Sequence, residues 1–186
     1  MYKRQLPEVL KQEFQIQNSY LLRKIDAPDV IASEYGNQFK INWVTGQKTG
    51  FFIDQRENRK LLGEYSQNKG ILNTFCYSGG FSIYALNKGA KEVYSLDSSK
   101  KAMKIVEENL KLLPQDLQQK HHSITDDAMD YIKQLPETFD VIILDPPAFA
   151  KHIKSKNNAV QGYKRLNSRA IEKIKPGGYI LSLIHI

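Results

Sequence analysis

The sequence VIILDPPAF, residues 141–149, joins a short apolar run to an acidic residue and two prolines. Four consecutive apolar residues, rich in β-branched side chains, predict a buried strand. The strand is expected to end at Asp145, because Pro146 and Pro147 fit neither a helix nor a sheet ladder. In open α/β sheets ligands bind at the carboxyl ends of strands. The stretch therefore predicts a ligand-binding acid, although taken alone it also fits a solvated turn.

The composition is that of a globular protein. The chain has 186 residues, which favours one domain, with 41% hydrophobic and 25% charged residues. Its net charge of +7 suits an acidic partner such as nucleic acid. The single cysteine, Cys76, cannot form an internal disulfide, which favours a cytoplasmic location. No apolar stretch is long enough to predict a membrane span or a secretory signal, so no membrane partner is expected.

Both ends of the chain look foreign to the rest. Residues 181–186 (LSLIHI) and 2–5 (YKRQ) resemble translated adapter sequence from a DNA library. We therefore excluded residues 1–5 and 181–186 from the fold as adapter-derived. The hypothesis predicts that the natural protein extends past both ends, and that the parent nucleotide sequence carries adapter codons there.

Strands and helices are predicted to alternate along the chain. The predicted strands lie in residues 30–52, in two or more segments, and at 71–75, 92–97, 139–144 and after Gly178. The predicted helices are 56–65, 81–86, a segment after Ser98 that runs through Leu110, 126–135 and 163–174. This alternation predicts parallel βαβ units with right-handed crossovers. His121 and His122 are expected in a solvated polar connection, and residues 151–158 in a Lys-rich loop.

A glycine-containing turn follows the strand at 71–75. Residues 73–80 read NTFCYSGG, and glycines at such a turn let the backbone approach a ligand and expose amide donors at a helix start. Phe75 and Tyr77 occupy positions where a dinucleotide fold needs glycine, so a nicotinamide cofactor is disfavoured.

Two further acids follow later strands. Asp97 ends a predicted strand, where a carboxylate accepts hydrogen bonds from ribose hydroxyls, but it also fits a helix N-cap. Ser98 is the predicted cap of the helix that follows. Asp127 is placed to face an adenine amino group, or equally to act as a first-turn helix acid. Thr125 or Asp126 is the predicted cap of the helix at 126–135.

Together these motifs carry a family resemblance. The chain resembles the class I S-adenosylmethionine-dependent RNA methyltransferases, and more narrowly the family that methylates C5 of a cytosine in large-subunit ribosomal RNA. The matching segments are GQKTGFFIDQRENR (46–59), FCYSGGFS (75–82), LDSS (96–99), LDPPAFAK (144–151) and QGYKRLN (161–167). The resemblance covers residues from about 30 to 178, and the segment at 46–59 is the most specific of the five.

The resemblance implies a fold and a domain division. The fold is α/β, a Rossmann-like three-layer sandwich that is truncated on its C-terminal side and preceded by a small β-rich element. The implied division is an N-terminal segment at 1–29, the β-rich element with its helix at 30–69, and an incomplete S-adenosylmethionine-binding domain at 70–180.

The resemblance also implies the site. The cofactor would be S-adenosylmethionine and the partner large-subunit ribosomal RNA. Asp145 would lie beside the sulfonium and the target base, with the Pro146 backbone nearby. The loop residues Phe75, Cys76, Tyr77, Ser78, Gly79 and Gly80 would hold the methionine part, Asp97 and Ser98 the ribose, and Asp127 and Ala128 the adenine. Gln55 and Arg56 would lie close to the cofactor or the RNA.

Methylation at C5 of cytosine needs a thiolate that first adds to C6. The family is expected to supply this cysteine from the strand after Gly178, and this chain has none there. Cys76 is predicted to be a small packing residue instead. Methylation of a guanine or adenine nitrogen is a second hypothesis. Such enzymes use a motif of Asp or Asn, two prolines and then an aromatic residue that stacks on the base. Here Ala148 follows the prolines and Phe149 comes one position later, which disfavours this hypothesis. A cofactor-binding but catalytically incomplete fragment is a third. No metal site is predicted.

Overall fold

The computed structural model describes residues 3–4, 19–20, 29–42, 46, 50–135, 139–149 and 156–183. The strands are β1 (Lys3–Arg4), β2 (Ser19–Tyr20), β3 (Asp29–Glu34), β4 (Asn37–Asn42), β5 (Gly70–Thr74), β6 (Glu92–Asp97), β7 (His121–Thr125), β8 (Phe139–Leu144) and β9 (Ile174–Ser182). The helices are a 3-10 turn (Ile53–Gln55), α1 (Arg56–Glu64), α2 (Gly80–Asn87), α3 (Lys100–Leu110), α4 (Gln115–Gln118), α5 (Ala128–Gln134) and α6 (Lys156–Lys173).

The main sheet is parallel and has the strand order β7-β6-β5-β8-β9. The chain runs outward from β5 through β6 to β7 and then returns to place β8 on the other side of β5. The order therefore reverses between β5 and β8, which is the topological switch point where open α/β sheets bind ligands. The predicted α/β fold with parallel strands is confirmed.

The adjacent inner strands β5 and β8 are buried on both faces, as expected for a parallel sheet covered by helices. Their side chains alternate between two cores. Ile71 and Ile143 belong to the core that includes α2 and α3, whereas Leu72 and Ile142 belong to the core that includes α5 and α6. This two-sided burial gives the three-layer arrangement.

A small antiparallel hairpin, β3–β4, precedes the sheet, as predicted. Its two-residue turn, Tyr35–Gly36, has positive φ angles of 47° and 79°, which is typical of tight hairpin turns. Phe39 of β4 is buried, and its ring lies 4.7 Å from the ring of Phe51 and 6.3 Å from that of Tyr84 in α2. The hairpin therefore shares a core with the main sheet.

Several predicted boundaries were wrong. The predicted strand past Gly50 does not form in residues 50–52, which lead into the 3-10 turn. α6 begins at Lys156 rather than 163, so the Lys-rich segment is helical at its end. β7 was missed, and it contains both His121 and His122. Trp43 of the predicted β-rich element lies outside the described residues.

The last strand also differs from expectation. β9 begins at Ile174 and continues through Pro176 and Gly177, where we expected a stop. It pairs only with β8 in the described sheet, and proline is tolerated in such an edge strand because one side needs no ladder hydrogen bonds. Leu181 and Ser182, which we left out of the fold, pair with Ile143 and Leu144. The adapter origin of these residues stays a hypothesis.

No helix among the described residues is long and apolar enough to cross a membrane.

Candidate functional site

The loop after β5, Asp97 and Asp145 lie together at the carboxyl edge of the sheet. Thr74 at the end of β5 pairs with Leu96 of β6 on one side and with Leu144 of β8 on the other. Asp97 and Asp145 each come directly after those partners. Because the strands are parallel and in register, the loop after β5 and these two carboxylates emerge at the same edge of the sheet.

The loop between β5 and α2 has an unusual backbone. Phe75, Tyr77 and Gly79 have φ angles of 54°, 47° and 74°, and the first two are not glycines. A non-glycine residue in this region carries strain of about 1–3 kcal/mol, which persists only when the surroundings fix it. The Gly79 N–H donates to the Cys76 carbonyl at 2.8 Å, which closes the turn immediately before α2.

Asp97 fixes this loop. Its Oδ2 accepts a hydrogen bond from the Tyr77 N–H at 3.0 Å, and its Oδ1 accepts one from the Ser99 N–H at 2.9 Å. A carboxylate has about four lone-pair positions, so two amide contacts leave acceptor capacity for a ligand hydroxyl. The loop conformation and the orientation of this acid are thus set together.

The cap of α3 is one residue later than predicted. Ser99, not Ser98, occupies the N-cap position, and its Oγ accepts from the Ala102 N–H at 3.2 Å. The helix begins at Lys100, so only Ser99 is placed to reach an unpaired amide of the first turn. Ser98 is exposed beside Asp97.

Cys76 is a packing residue. Its side chain is buried, with 6% of its surface exposed, and its Sγ lies 3.7 Å from Sδ of Met103. Burial, and secondarily the charge of Asp97, raises the pKa of the Cys76 thiol far above its usual range. The thiol is therefore protonated at neutral pH and is a poor nucleophile. This agrees with the sequence prediction.

The remaining loop residues are held by α1 and α3. The Ser78 carbonyl accepts from Asn109 Nδ2 at 2.8 Å. A Cβ at Gly80 would lie 3.0 Å from Cδ of Arg59, so glycine allows α1 to approach the start of α2. A Cβ at Gly46 would lie 3.2 Å from the hydroxyl oxygen of Tyr77, so Gly46 lies close to the side chain of this loop residue.

Asp127 is the N-cap of α5. Its Oδ1 accepts from the N–H groups of Met129 at 2.8 Å and Asp130 at 3.2 Å. The predicted cap, Thr125 or Asp126, was wrong because α5 begins at Ala128 rather than at 126. Ala128 is buried. Asp127 is thus the N-cap rather than the first-turn helix acid of the alternative prediction, and its role toward adenine stays a prediction.

The segment after β8 is braced by α6. Asp145 is half-buried and Pro146 is buried. The Tyr163 hydroxyl accepts from the Phe149 N–H at 3.0 Å and donates to the Pro147 carbonyl at 3.4 Å. The rings of Phe149 and Tyr163 stack with their centroids 4.5 Å apart. These contacts hold the exit from β8 in one position.

Gln55 and Arg56 differ in their surroundings. Gln55 is 4% exposed, and its Oε1 accepts from Asn58 Nδ2 at 2.7 Å. Arg56 is exposed, pairs with Glu57 at 3.1 Å and lies over the ring of Tyr35 at 5.6 Å. These contacts direct Arg56 toward the hairpin turn, and a role near the cofactor or RNA stays a prediction for both residues.

Arg59 is the main residue that the sequence reasoning missed. It is 2% exposed, and its Nε and Nη2 donate to the two carboxylate oxygens of Glu34 at 2.8 Å each. The Tyr84 hydroxyl also donates to Glu34, at 2.9 Å, and the pKa of Tyr84 is raised, first by burial and then by this contact. The burial of Arg59 could have been predicted from its position, because residues three apart lie on the same face of a helix and Leu62 belongs to the apolar face of α1.

His121 was also misjudged. Its Nε2 forms a hydrogen bond of 2.7 Å with Ser95 Oγ, which continues through Ser82 Oγ to Asn73 Nδ2. Burial, with a smaller effect of His122, lowers the pKa of His121 to about 4. Neither histidine lies in the connection that we predicted, because both belong to β7. The predicted solvent exposure holds for His122 alone, which stacks on Tyr94.

No group of histidine, cysteine and acidic side chains suited to a metal occurs among the described residues.

The fold and this edge define a Rossmann-like α/β protein whose candidate ligand site lies at the topological switch point of a parallel sheet. A family model described as S-adenosylmethionine-dependent methyltransferase matches residues 22–186. The chain belongs to the S-adenosylmethionine-dependent methyltransferase family.

Curated relatives carry a more specific name. Proteins named "Ribosomal RNA large subunit methyltransferase I" include one from Tolumonas auensis, 36% identical over 98% of this chain and 47% of the relative. A "Ribosomal RNA large subunit methyltransferase" from Deinococcus radiodurans is 38% identical over 82% of this chain and 38% of the relative. The chain thus spans less than half the length of these relatives.

Solved structures share the fold. A protein of Streptococcus mutans assigned to the SAM-dependent methyltransferases has a TM-score of 0.75 and 27% identity, covering 89% of this chain and 43% of that one. A structure assigned as a methyltransferase and complexed with SAH gives the same TM-score, 0.75. The SAM-dependent methyltransferase of Agrobacterium tumefaciens has a TM-score of 0.75 at 22% identity over 91% of this chain and 57% of that one, which shows the fold alone.

The residues at the edge fit S-adenosylmethionine. Asp97 and Asp127 offer carboxylate acceptors after neighbouring strands, which suits the hydroxyl and amino groups of adenosine. Phe75, which is half-buried against the core that contains Ala128, supplies apolar surface at the start of the loop after β5. Asp145 adds a third carboxylate, so the edge is complementary in charge to a sulfonium cation.

Proposed function

We propose that the protein containing this chain transfers a methyl group from S-adenosylmethionine to a base of large-subunit ribosomal RNA. The observation that carries the proposal is the 36% identity, over 98% of the chain, to a relative named as a methyltransferase of that RNA. The net charge of +7 supports a polyanionic substrate. A cytoplasmic location belongs to the same proposal.

The proposed roles follow the arrangement of the edge. Residues 75–80 hold the methionine part of the cofactor, Asp97 beside Ser98 holds the ribose, and Asp127 with Ala128 holds the adenine. The bound cofactor supplies an electrophilic methyl group. Asp145 and the Pro146 backbone position the target base at that group, and the contacts of Tyr163 to the following residues keep this exit rigid.

The proposed acceptor is C5 of a cytosine. This carbon becomes nucleophilic only after a thiolate has added to C6. Cys76 does not fit that task, because it is buried against Met103 and the pKa of its thiol is raised. The proposal therefore requires the thiolate to come from the part of the relatives' length that this chain does not span.

The test is methylation of ribosomal RNA by the complete protein, followed by mass spectrometry of the nucleosides. We expect 5-methylcytidine, and Asp145→Asn is expected to lower the rate by about 100-fold or more while affinity for S-adenosylhomocysteine, which lacks the sulfonium charge, changes little. Asp116→Asn, an exposed change in α4, is the control and is expected to leave the rate unchanged.

The products separate the hypotheses. A methylated guanine or adenine nitrogen would reject the cytosine acceptor and leave the RNA methyltransferase standing. Binding of S-adenosylhomocysteine without any RNA methylation by the complete protein would reject the enzyme assignment. Calorimetry on the 186-residue chain tests cofactor binding independently of both.

A further inference from the structure

A cavity of about 270 Å³ lies beside the exit from β8, outside the residues assigned to the cofactor. It is lined by Met129, Phe149, Asn158, Ala159, Gly162 and Arg165. These residues come from α5, from the segment after Asp145 and from α6. Phe149 is four residues after Asp145, so the Cα atoms of these two residues are at most about 14 Å apart.

The lining is suited to one planar, polar-edged group. Phe149 supplies an aromatic ring, and Met129 and Ala159 supply apolar surface. Asn158 supplies an amide that donates and accepts hydrogen bonds, and Arg165 supplies a guanidinium. Drug-sized ligands occupy cavities of about 300–1,000 Å³, so this one suits a smaller ligand.

Phe149 is held ready for stacking. One face of its ring is covered by Tyr163, whose hydroxyl accepts from the Phe149 N–H. A Cβ at Gly162 would lie 3.0 Å from Cδ2 of Phe149, so the glycine leaves just enough space for the ring in this position. A fixed aromatic ring loses little conformational freedom when a base stacks on it.

The charge at the cavity favours RNA over the cofactor. Of the arginines whose side chains the structure describes, Arg56 pairs with Glu57, Arg59 with Glu34, and Arg169 with the Met129 carbonyl. Arg165 is exposed and has no such partner within the described part of the chain. An unpaired guanidinium suits a phosphodiester, whereas S-adenosylmethionine carries a cationic sulfonium and no phosphate.

We infer that this cavity binds a nucleobase of the substrate RNA that flanks the target base, stacked on Phe149, with Arg165 contacting the adjoining phosphate. The inference rests on the proposed function, because it assumes an RNA substrate. It adds a second contact that would hold the strand while the target base lies at Asp145.

The test measures binding of a single-stranded ribooligonucleotide of mixed sequence, containing 2-aminopurine, to the 186-residue chain. Phe149→Leu keeps the apolar volume and removes the stacking ring, so RNA affinity is expected to fall by about 5- to 100-fold. Tyr179→Leu removes an exposed ring from β9 and is expected to leave RNA affinity unchanged. Affinity for S-adenosylhomocysteine, measured on the same samples, reports both folding and the cofactor site.

Two further variants test the inference without relying on Phe149→Leu, which could also disturb folding. Gly162→Ala presses a methyl group against the Phe149 ring within α6, where alanine favours the helix, and is expected to weaken RNA binding without loss of thermal stability. Arg165→Gln is expected to reduce the slope of log affinity against log salt by about 0.7, the value for one phosphate contact on a single strand. Lys104→Gln on α3, across the sheet, is the charge control.

The outcomes are distinguishable from those of the proposed function. RNA binding by the unaltered chain that is insensitive to Phe149→Leu and Gly162→Ala would overturn the inference and leave the proposed function intact. Loss of S-adenosylhomocysteine affinity with unchanged RNA affinity would also overturn it, by assigning the cavity to adenine. Absence of RNA methylation by the complete protein would count against the proposed function itself.

Discussion

The amide of Tyr77 donates a hydrogen bond to Oδ2 of Asp97 across 3.0 Å, so an acid at the end of β6 fixes the loop that follows β5. Tyr77 has a φ angle of 47°, and it keeps this conformation because the amide has a charged partner. The same carboxylate orients the start of α3 through Ser99. Two walls of the candidate site are therefore set by one side chain.

Replacement of Asp97 by alanine is expected to release the loop. We predict a fall in S-adenosylhomocysteine affinity of at least about 10-fold and a loss of stability of about 1–3 kcal/mol, because two amides lose a charged acceptor. Calorimetry and urea unfolding measure the two effects. Asp116→Ala is the matched control, and equal effects of the two changes would contradict the assigned role.

Replacement of Arg59 by methionine is expected to lower the free energy of unfolding by about 3–5 kcal/mol. The change leaves Glu34 without its bidentate partner in a nearly buried position. Urea unfolding at neutral pH measures it. Arg56→Met is the control, because the pair between Arg56 and Glu57 is exposed and its loss is expected to have no measurable effect. A small effect of Arg59→Met would show that the hairpin does not depend on this ion pair.

Cys76 is expected to resist alkylation in the folded protein. Burial raises the pKa of its thiol, so the reactive thiolate is scarce throughout the range from neutral to mildly alkaline pH. Iodoacetamide labelling followed by mass spectrometry is expected to be slow in buffer and fast in urea. In the complete protein, Cys76→Ser is expected to retain most methyl transfer, and loss of a covalent RNA adduct in that variant would make Cys76 the nucleophile after all.

Acid is expected to destabilise the protein partly through His121. Its folded-state pKa of about 4 lies below its unfolded value of about 6.5, so the unfolded state binds the proton more readily. The stabilising contribution is complete above pH 6.5 and is lost as the pH falls toward 4. Urea unfolding at several pH values is expected to show that the free energy of unfolding falls less steeply with acid in His121→Asn than in the unaltered protein.

The neighbouring change His122→Asn serves as the control for that experiment. His122 is exposed and makes the smaller contribution to the lowered pKa of His121. Most of the acid loss should therefore persist in this variant. An unchanged pH profile in His121→Asn would mean that His121 does not titrate as described.

The elements that were predicted well carry strong local signals. β6 and β8 were predicted with their observed bounds, because each combines several apolar residues with an acid at or directly after its end. β7 was missed since its sequence, HHSIT, is polar and lies at an edge of the sheet, where no two-sided burial imposes an apolar pattern. The start of α6 was predicted too late for a similar reason, because the first turn of this helix is rich in polar residues.

The site shows the same division. The meeting of Asp97 and Asp145 at one edge followed from parallel pairing alone. The caps were missed by one or two residues, since neighbouring serine, threonine and aspartate residues can all cap and the exact helix start decides between them. The pairing of Arg59 with Glu34 joins residues 25 positions apart on different elements, and no local pattern specifies such a contact.

The side-chain hydrogen bond between Ser95 and His121 helps to set the register of the edge strand β7 against β6. β7 lacks an apolar pattern that would choose between alternative pairings with β6, and a slip of one residue would turn every side chain to the opposite face. Only the observed pairing of Ser95 with Ser123 brings His121, rather than its neighbour, to the Ser95 hydroxyl. A one-residue slip would also carry Asp127 about 3.3 Å along the sheet. The hydrogen bond between Ser95 and His121 thereby helps to fix the position of the Asp127 carboxylate at the carboxyl edge of the sheet.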